Sequence, residues 1–176
     1  DIEVDLHERE RIPANGPAII VANHPLGGLD SLLLIRLVSQ IRPDVKILSD
    51  YLLKKLDPVS EYFIETNPFD HGSGNPKSSY SGFRESMMFL RNGGILCVFP
   101  AGSALNWYAG GMVTDTIWRY PVIRFIRKIH VPVIPVYFQS SNSPIFKILG
   151  RLHPVLKNVR LPSELFTRKN KNIRVR

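Results

Sequence analysis

Pro17–Leu37 reads PAIIVANHPLGGLDSLLLIRL and contains a strand pattern, a turn and a helix pattern in direct succession. The short apolar run Pro17–Asn23 is typical of a buried strand. Two glycines in His24–Gly28 indicate irregular backbone. In Leu29–Ile41 the apolar residues recur at helical spacing, and Pro43 closes the helix. This order predicts the first β–α unit of an α/β fold.

The same alternation continues along the chain. Pro68–Pro76, rich in Gly, Asn and Pro, is predicted to be a loop. Pro121 fits poorly inside the predicted helix Asp115–Ile129. Strands alternating with helices predict an α/β fold with a central, mostly parallel (mixed) β-sheet flanked by helices. We expect residues 1–176 to form a single domain, truncated at both ends. Further strands are predicted at Val45–Ser49, Tyr62–Thr66, Ile95–Phe99, Val133–Phe138 and Ile173–Arg176, and further helices at Tyr51–Leu56, Ser79–Arg91, Asp115–Ile129 and Pro144–Leu152.

Composition and charge narrow the classes of function. With 44% hydrophobic and 22% charged residues, the chain has the composition of an ordinary globular domain. Lys and Arg number 23 against 15 Asp and Glu, and the resulting charge of +8 indicates an anionic partner. Nucleic acid, anionic lipid head groups and an acidic carrier protein all meet that description. Base-stacking aromatics interleaved with basic residues are not obvious, so nucleic acid is not expected.

Cys97 is the single cysteine, which excludes an intrachain disulfide and a multi-cysteine zinc site. It lies within a predicted apolar strand, so we expect a small, buried, apolar side chain. No apolar run reaches the roughly 20 residues that span a bilayer, and no signal peptide opens the chain.

His24 and Asp30 form the first candidate site. His24 ends an apolar strand, and Asp30 lies six positions on, at the start of the next helix. An acidic side chain on the first helical turn can reach back and orient the imidazole, which makes the histidine a general base. Such a base can deprotonate a hydroxyl so that it attacks a thioester. The alternative is that His24 is a turn residue and Asp30 an N-cap.

Pro100–Leu105, the loop after the strand Ile95–Phe99, is the second candidate site. Gly102 and Ser103 lie where backbone N–H groups can point into a cleft and stabilise an oxyanion. An ordinary strand-to-loop turn explains the same residues equally well. A nucleophilic Ser103 would require the Gly-x-Ser-x-Gly elbow, which is absent.

Four segments together resemble the motifs of the glycerolipid acyltransferase family, the group that contains bacterial lysophosphatidate acyltransferase. Val21–Asp30 resembles the first motif, in which Asn-His and a later Asp follow an apolar strand. Phe63–Thr66 aligns with the second motif, Phe-Ile-Asp-Arg. Phe99–Ser103 resembles the third, Phe-Pro-Glu-Gly-Thr, and Val131–Val136 the fourth, an apolar strand with a central proline. Order and spacing match over most of the chain, so the resemblance implies an acyltransferase catalytic domain with that family's fold.

The chain also departs from these motifs. Five residues separate His24 from Asp30 instead of four, and the glycines Gly27-Gly28 offer backbone that can absorb the extra one. Thr66, Ala101 and Ala104 replace charged residues that the family uses to hold a phosphate. Their loss argues against a phosphate-bearing acceptor. The pattern is similar to the hemolysin-like branch, whose relatives O-acylate lyso-aminolipids such as lyso-ornithine or N-acyl amino acid lipids.

The resemblance implies a set of partners. The acyl donor is expected to be acyl-CoA or acyl carrier protein, and the +8 charge favours the acidic carrier protein. The acceptor is a lysolipid presented at a membrane surface, and the enzyme is expected at the cytoplasmic face of the inner membrane as a peripheral protein. No metal or organic cofactor is expected, because the thioester is already activated.

Several residues are assigned by the resemblance or weighed beside it. A metal site of His24, Asp30, Asp70 and His71 would need an improbable loop convergence. The basic, aromatic stretch Arg119–Lys128 fits either a membrane-surface helix or a core helix with a solvated basic face. Trp107–Met112 is interpreted as a loop that lines an acyl tunnel or touches the bilayer. The resemblance makes His24 and Asp30 catalytic and implies oxyanion or substrate contacts for Phe99, Pro100, Gly102 and Ser103. Further candidates for contacts with the acceptor head group are Thr66, Asn67, Arg84 and Arg119.

Three other functions remain open from the sequence. One is a lysophospholipid or 1-acylglycerol-3-phosphate acyltransferase. Another is a lipid-binding relative on the same scaffold that has lost catalysis. The third is a hydrolase that uses the same histidine with water as the acceptor.

Overall fold

A computed structural model describes residues 2–49, 57–66, 76–102, 106–107, 113–114, 117–139 and 173–176 of the chain. The predicted helices Tyr51–Leu56 and Pro144–Leu152 lie outside these residues. The elements in chain order are β1 Ile2–Val4, α1 Leu6–Arg9, β2 Ala18–Ala22, α2 Gly28–Ser39, β3 Val45–Ser49, a 3-10 helix Ser60–Tyr62, β4 Phe63–Glu65, α3 Pro76–Arg91, β5 Ile95–Val98, β6 Asn106–Trp107, β7 Val113–Thr114, α4 Tyr120–Ile129, β8 Val133–Val136, β9 Phe138–Gln139 and β10 Ile173–Val175.

Five strands form a parallel sheet in the order β4-β3-β5-β2-β8. β2 lies beside β5 and β8, with Ile20 opposite Cys97 on one side and Ile134 on the other. All five residues of β2 are buried, as expected for an inner strand of a sheet covered on both faces. The predicted α/β fold with a mostly parallel central sheet is confirmed. Parallel strands bring their carboxyl ends to one edge, so the segments after β2, β4 and β5 begin at the same edge.

The two faces of this sheet carry different helices. Ile20, Ile47 and Cys97 pack with Leu34 and Val38 of α2 in one core cluster. The alternate strand residues Ile19, Leu48 and Leu96 pack instead with residues of α3 and α4. Because successive strand side chains point to opposite faces, α2 covers one face and α3 with α4 the other. The residues from α3 and α4 in the second cluster are Leu90, Val122 and Phe125.

A second, smaller sheet follows the order β1-β10-β9, and β6 pairs with β7 in a two-stranded sheet. The single strand predicted at Val133–Phe138 is therefore wrong. It divides into β8, which joins the five-stranded sheet, and β9, which pairs with β10. Tyr137 lies between them and exchanges two backbone hydrogen bonds with Arg176. Pro135 is tolerated in β8 because β8 is an edge strand.

Two predicted helix starts are also wrong. α3 begins at Pro76, three residues before the predicted start and inside the predicted loop Pro68–Pro76, whose other residues lie outside the described part. α4 begins at Tyr120 and not at Asp115, with Pro121 in its first turn. Proline is well suited to that position because its fixed φ fits a helix and the first N–H groups have no intrahelical partner. Within the described ranges, no helix is long and apolar enough to cross a membrane.

At the opposite edge of the sheet, where the strands begin, Arg42 links three segments of the chain. Its guanidinium donates to the carboxylate of Asp44 through Nε and Nη2, with Nε 2.7 Å from Oδ1. Nη1 donates to the carbonyls of Pro13 and Gly16 at 3.1 and 2.8 Å, and Nη2 also donates to the carbonyl of Gly93. The segments that lead into β2, β3 and β5 are therefore linked by one buried cation.

Candidate active site

His24 lies just beyond the carboxyl end of β2, on the face of the sheet that α2 covers. Its ring packs against the ring of Phe99, the residue that follows β5, with 4.3 Å between centroids and 32° between planes. Phe99 is buried, and the His24 side chain keeps 14% of its surface exposed. The adjacent strands β2 and β5 thus deliver the imidazole and the aromatic ring beneath it, and the imidazole still reaches solvent.

Asp30 lies in the first turn of α2 and is completely buried. Its Oδ2 accepts a hydrogen bond of 2.7 Å from the N–H of Leu26 and lies 3.3 Å from His24 Nδ1. Gly27 has a φ of +68°, a conformation that suits glycine, and its carbonyl accepts from the N–H of Asp30 at 2.9 Å. The turn therefore accommodates the extra residue between His24 and Asp30 and keeps their side chains in contact.

This contact has a direct chemical consequence. A carboxylate beside Nδ1 favours the tautomer with the proton on that nitrogen and stabilises the doubly protonated ring. Nε2 is then the nitrogen that can accept a proton from a substrate. The 3.3 Å separation is slightly longer than a short hydrogen bond of about 2.6–3.2 Å, and such contacts often tighten when a substrate binds. In this arrangement His24 can act as a general base and Asp30 as the carboxylate that orients it.

Phe99–Gly102 forms the tight turn after β5. The N–H of Gly102 donates to the carbonyl of Phe99 at 3.0 Å, and Gly102 has a φ of +67°. This N–H is therefore used within the turn and does not point at an oxyanion in this arrangement. The carbonyl of Pro100 accepts from the N–H of Arg119 at 3.0 Å, which attaches the start of α4 to the same turn.

Asn23 is a residue that the sequence reasoning did not single out. Its side-chain nitrogen donates to the carbonyl of Phe138 at 3.1 Å, and its oxygen accepts from the N–H of Phe138 at 2.7 Å. The amide thus pairs with the backbone of β9 as another strand would, and it fixes the backbone directly before His24. The adjacent pair Asn-His was the only available signal, because the partner lies 115 residues away.

A cavity of about 380 Å³ opens beside Asn23, where β2 and β8 end. Trp118 and Tyr137 lie on its wall together with the end of β8, and Arg11, Arg176 and Glu8 contribute charged side chains. It lies at the edge of the sheet that carries His24.

Comparison with known proteins indicates the family of the chain. A family model described as acyltransferase matches residues 4–176. The chain belongs to this acyltransferase family. It is 28% identical over 154 residues to a lyso-glycine lipid O-acyltransferase of Phocaeicola vulgatus, and 27% identical over 154 residues to one of Bacteroides thetaiotaomicron. These alignments cover 86% of this chain but 52% and 54% of the relatives, so the chain spans about half of their length.

In this acyltransferase domain, two other predicted contact residues do not join His24. Thr66 follows β4, at the far side of the sheet, and its Cβ lies close to Gly82 of α3. Arg84 is exposed on α3. Both therefore belong to the face opposite to α2, whereas His24, Asp30 and Phe99 lie together. The predicted contact residues Asn67 and Ser103 lie outside the described residues, as do Asp70 and His71 of the rejected metal site and most of Trp107–Met112.

Cys97 is fully buried in β5, as predicted, and burial raises the pKa of its thiol, so it is protonated and unreactive at neutral pH. Among the described residues, no group of three or more His, Cys, Asp or Glu side chains could hold a metal ion.

Proposed function

We propose that this acyltransferase domain transfers a fatty acyl group from an acyl thioester to the hydroxyl of a lyso-aminolipid, with His24 as the general base and Asp30 as its orienting carboxylate. The observation that carries the proposal is the contact of 3.3 Å between these two side chains at the carboxyl edge of the sheet. The acyltransferase family match over residues 4–176 supports the reaction class.

The proposed reaction proceeds by direct attack. Nε2 of His24 takes the proton from the acceptor hydroxyl while the oxygen attacks the thioester carbonyl. Asp30 stabilises the resulting imidazolium. When the tetrahedral intermediate collapses, the carbon–sulfur bond breaks and His24 returns the proton to the departing thiolate. The products are an ester and a free thiol.

The donor and the oxyanion partner belong to the same proposal. The donor is acyl-CoA or acyl carrier protein, and the charge of +8 favours the acidic carrier protein. No metal or organic cofactor is needed to activate a thioester. The intermediate needs N–H donors. Because the N–H of Gly102 is used within its turn, we assign this role to the following residue, Ser103.

The proposed acceptor is an N-(3-hydroxyacyl) amino acid, with glycine as the first choice. Thr66 and Ala101 are buried uncharged residues where the family has charged ones, which disfavours a phosphate. Two relatives are named lyso-glycine lipid O-acyltransferases, and such an acceptor offers a hydroxyl and an amino acid head in place of a phosphate ester.

An acyl-transfer assay that offers N-(3-hydroxyacyl)glycine and lysophosphatidate side by side tests the proposal. We expect the glycine lipid to be acylated faster, and His24→Ala to lower kcat by about a hundredfold or more. Asp30→Asn should also lower kcat. His7→Ala is the matched control, because His7 is almost fully exposed on α1 and should not change the rate.

The alternatives predict other outcomes of the same assay. A preference for lysophosphatidate would indicate a lysophospholipid acyltransferase. Thioester cleavage at the same rate without an acceptor would indicate a hydrolase. Lipid binding by the wild type without any transfer would indicate a relative that has lost catalysis.

We also propose that the protein works as a peripheral protein at the cytoplasmic face of the inner membrane. Its proposed acceptor is a lipid, and its excess of positive charge suits an anionic surface. Recovery in the membrane fraction, with release of a substantial part at high salt, is the expected result of cell fractionation.

A further inference from the structure

The positive charge of the chain is concentrated in one segment. Residues 116–163 contain eight of the 23 Lys and Arg residues and none of the 15 Asp and Glu residues. The rest of the chain therefore has 15 of each and no net charge. α4 is the described helix within this segment.

α4 is oriented by a strongly apolar buried side. Val122 and Phe125 are buried against the sheet, and the ring of Phe125 packs against Phe83 of α3 with 5.0 Å between centroids. Arg124, Arg127 and Lys128 are consequently exposed on the other side of the helix. None of the ion pairs found among the described residues involves these three cations.

Large apolar side chains continue this exposed surface at the start of α4. Ile117 is 89% exposed, Trp118 is 47% exposed, and Tyr120 is also exposed. Tyr120 also lines a groove of about 280 Å³ together with Ile123 and the three cations. We call the set Ile117, Trp118, Tyr120, Arg124, Arg127 and Lys128 the α4 surface.

We propose that the α4 surface docks on an anionic lipid bilayer and brings the start of α4, at the carboxyl edge of the sheet, next to that bilayer. Cations attract anionic head groups, while Ile, Trp and Tyr side chains enter the interface between head groups and acyl chains. Charge alone would suit an acidic protein equally well. The bilayer is favoured because moving the nearly fully exposed side chain of Ile117 from water into lipid lowers its free energy.

The position of the α4 surface suits the proposed lipid acceptor, and in this respect the inference rests on the proposed function. The N–H of Arg119 donates to the carbonyl of Pro100, next to the Phe99 ring that contacts His24. Trp118 also lines the cavity that begins at Asn23. At the start of α4, a bilayer on the α4 surface would therefore lie near the edge of the sheet where the general base is located.

Flotation of the full chain with vesicles tests the docking surface. Vesicles of phosphatidylcholine alone are compared with vesicles of equal parts phosphatidylcholine and phosphatidylglycerol. We expect strong binding only to the anionic vesicles and a roughly tenfold weaker binding for Arg127→Glu. Arg91→Glu is the matched control, because Arg91 is also an exposed arginine in the last turn of a helix, but on α3.

The apolar part of the surface has its own pair of variants. Ile117→Ser should weaken binding severalfold in a way that added salt does not change, whereas the effect of Arg127→Glu should shrink at high salt. Leu6→Ser is the control, since Leu6 is 75% exposed on α1. Circular dichroism and thermal unfolding are the controls that each variant is folded.

Vesicle binding by the α4 surface and acyl transfer by His24 can be tested separately. His24→Ala should bind vesicles like the wild type, and Arg127→Glu should acylate a short-chain, water-soluble acceptor from acyl-CoA at the normal rate. Equal losses for Arg127→Glu and Arg91→Glu, or equal binding to both kinds of vesicle, would overturn the docking surface. So would an Arg127→Glu variant that binds vesicles normally but loses activity only with acyl carrier protein.

Discussion

Asn23 connects the two sheets at the residue directly before the proposed base. Asn23→Ala removes both hydrogen bonds to the buried Phe138 and leaves its backbone N–H and carbonyl without these partners. We expect a loss of about 1–3 kcal/mol in the free energy of unfolding, measured with denaturant. Because His24 would lose its backbone support, kcat should fall while KM changes little. Asn92→Ala, at an exposed turn, should change neither quantity.

At this scale the sequence predicts local pairs and misses distant ones. His24 and Asp30 are six positions apart, and a strand end followed by a helix start indicated that the two side chains can meet. The extra residue between them left the contact itself open, and the conformation of Gly27 settles it. Asn23 and Arg42 bond to backbone groups far along the chain, at Phe138 and Gly93, which no local pattern indicates. Wild-type kcat in the Asn23→Ala variant would contradict its positioning role.

α3 packs closely against the end of β4 at Gly82. A Cβ on Gly82 would overlap the carbonyl oxygen of Glu65 and lie 2.8 Å from the Cβ of Thr66. Gly82→Ala gains about 1 kcal/mol of helix propensity but forces α3 away from a backbone that cannot yield. We expect a net loss of about 1–3 kcal/mol in the free energy of unfolding, measured with denaturant.

Met88→Ala is the control for that prediction, because Met88 is an exposed residue of the same helix. Its stability should stay within about 0.5 kcal/mol of the wild type. A Gly82→Ala variant as stable as the wild type would show that α3 does not pack this closely on β4.

Elements were predicted best where the apolar pattern was strong. The bounds of β3 matched to the residue, and those of β2 and α2 within one or two residues. Val133–Phe138 was assigned to one strand because its apolar pattern is continuous. The division at Tyr137 depends on hydrogen bonds to Arg176, at the far end of the chain. Alternation of strands and helices predicted a parallel sheet, whereas the strand order follows from crossovers that periodicity does not encode.

At the scale of the whole molecule, Arg42 holds together the chain segments at the amino edge of the sheet. One guanidinium joins the segments before β2, β3 and β5. Arg42→Ala leaves several carbonyls and the Asp44 carboxylate without this partner. We expect a loss of about 2–3 kcal/mol in the free energy of unfolding, since three backbone carbonyls lose a charged hydrogen-bond donor.

Acid should remove part of the same stabilisation. The hydrogen bond from Arg42 holds the pKa of Asp44 below its ordinary value of 3.8. A carboxyl whose pKa is lowered in the folded state stabilises the fold above its unfolded pKa and loses that contribution as pH falls through the folded pKa. The difference in unfolding free energy between the wild type and Asp44→Asn should therefore be largest near neutral pH and shrink below about pH 4. Asp5→Asn disrupts only an exposed ion pair with Arg174 and should show a much smaller difference throughout. A difference for Asp44→Asn that is the same at every pH would rule out ionisation of this carboxyl as its source.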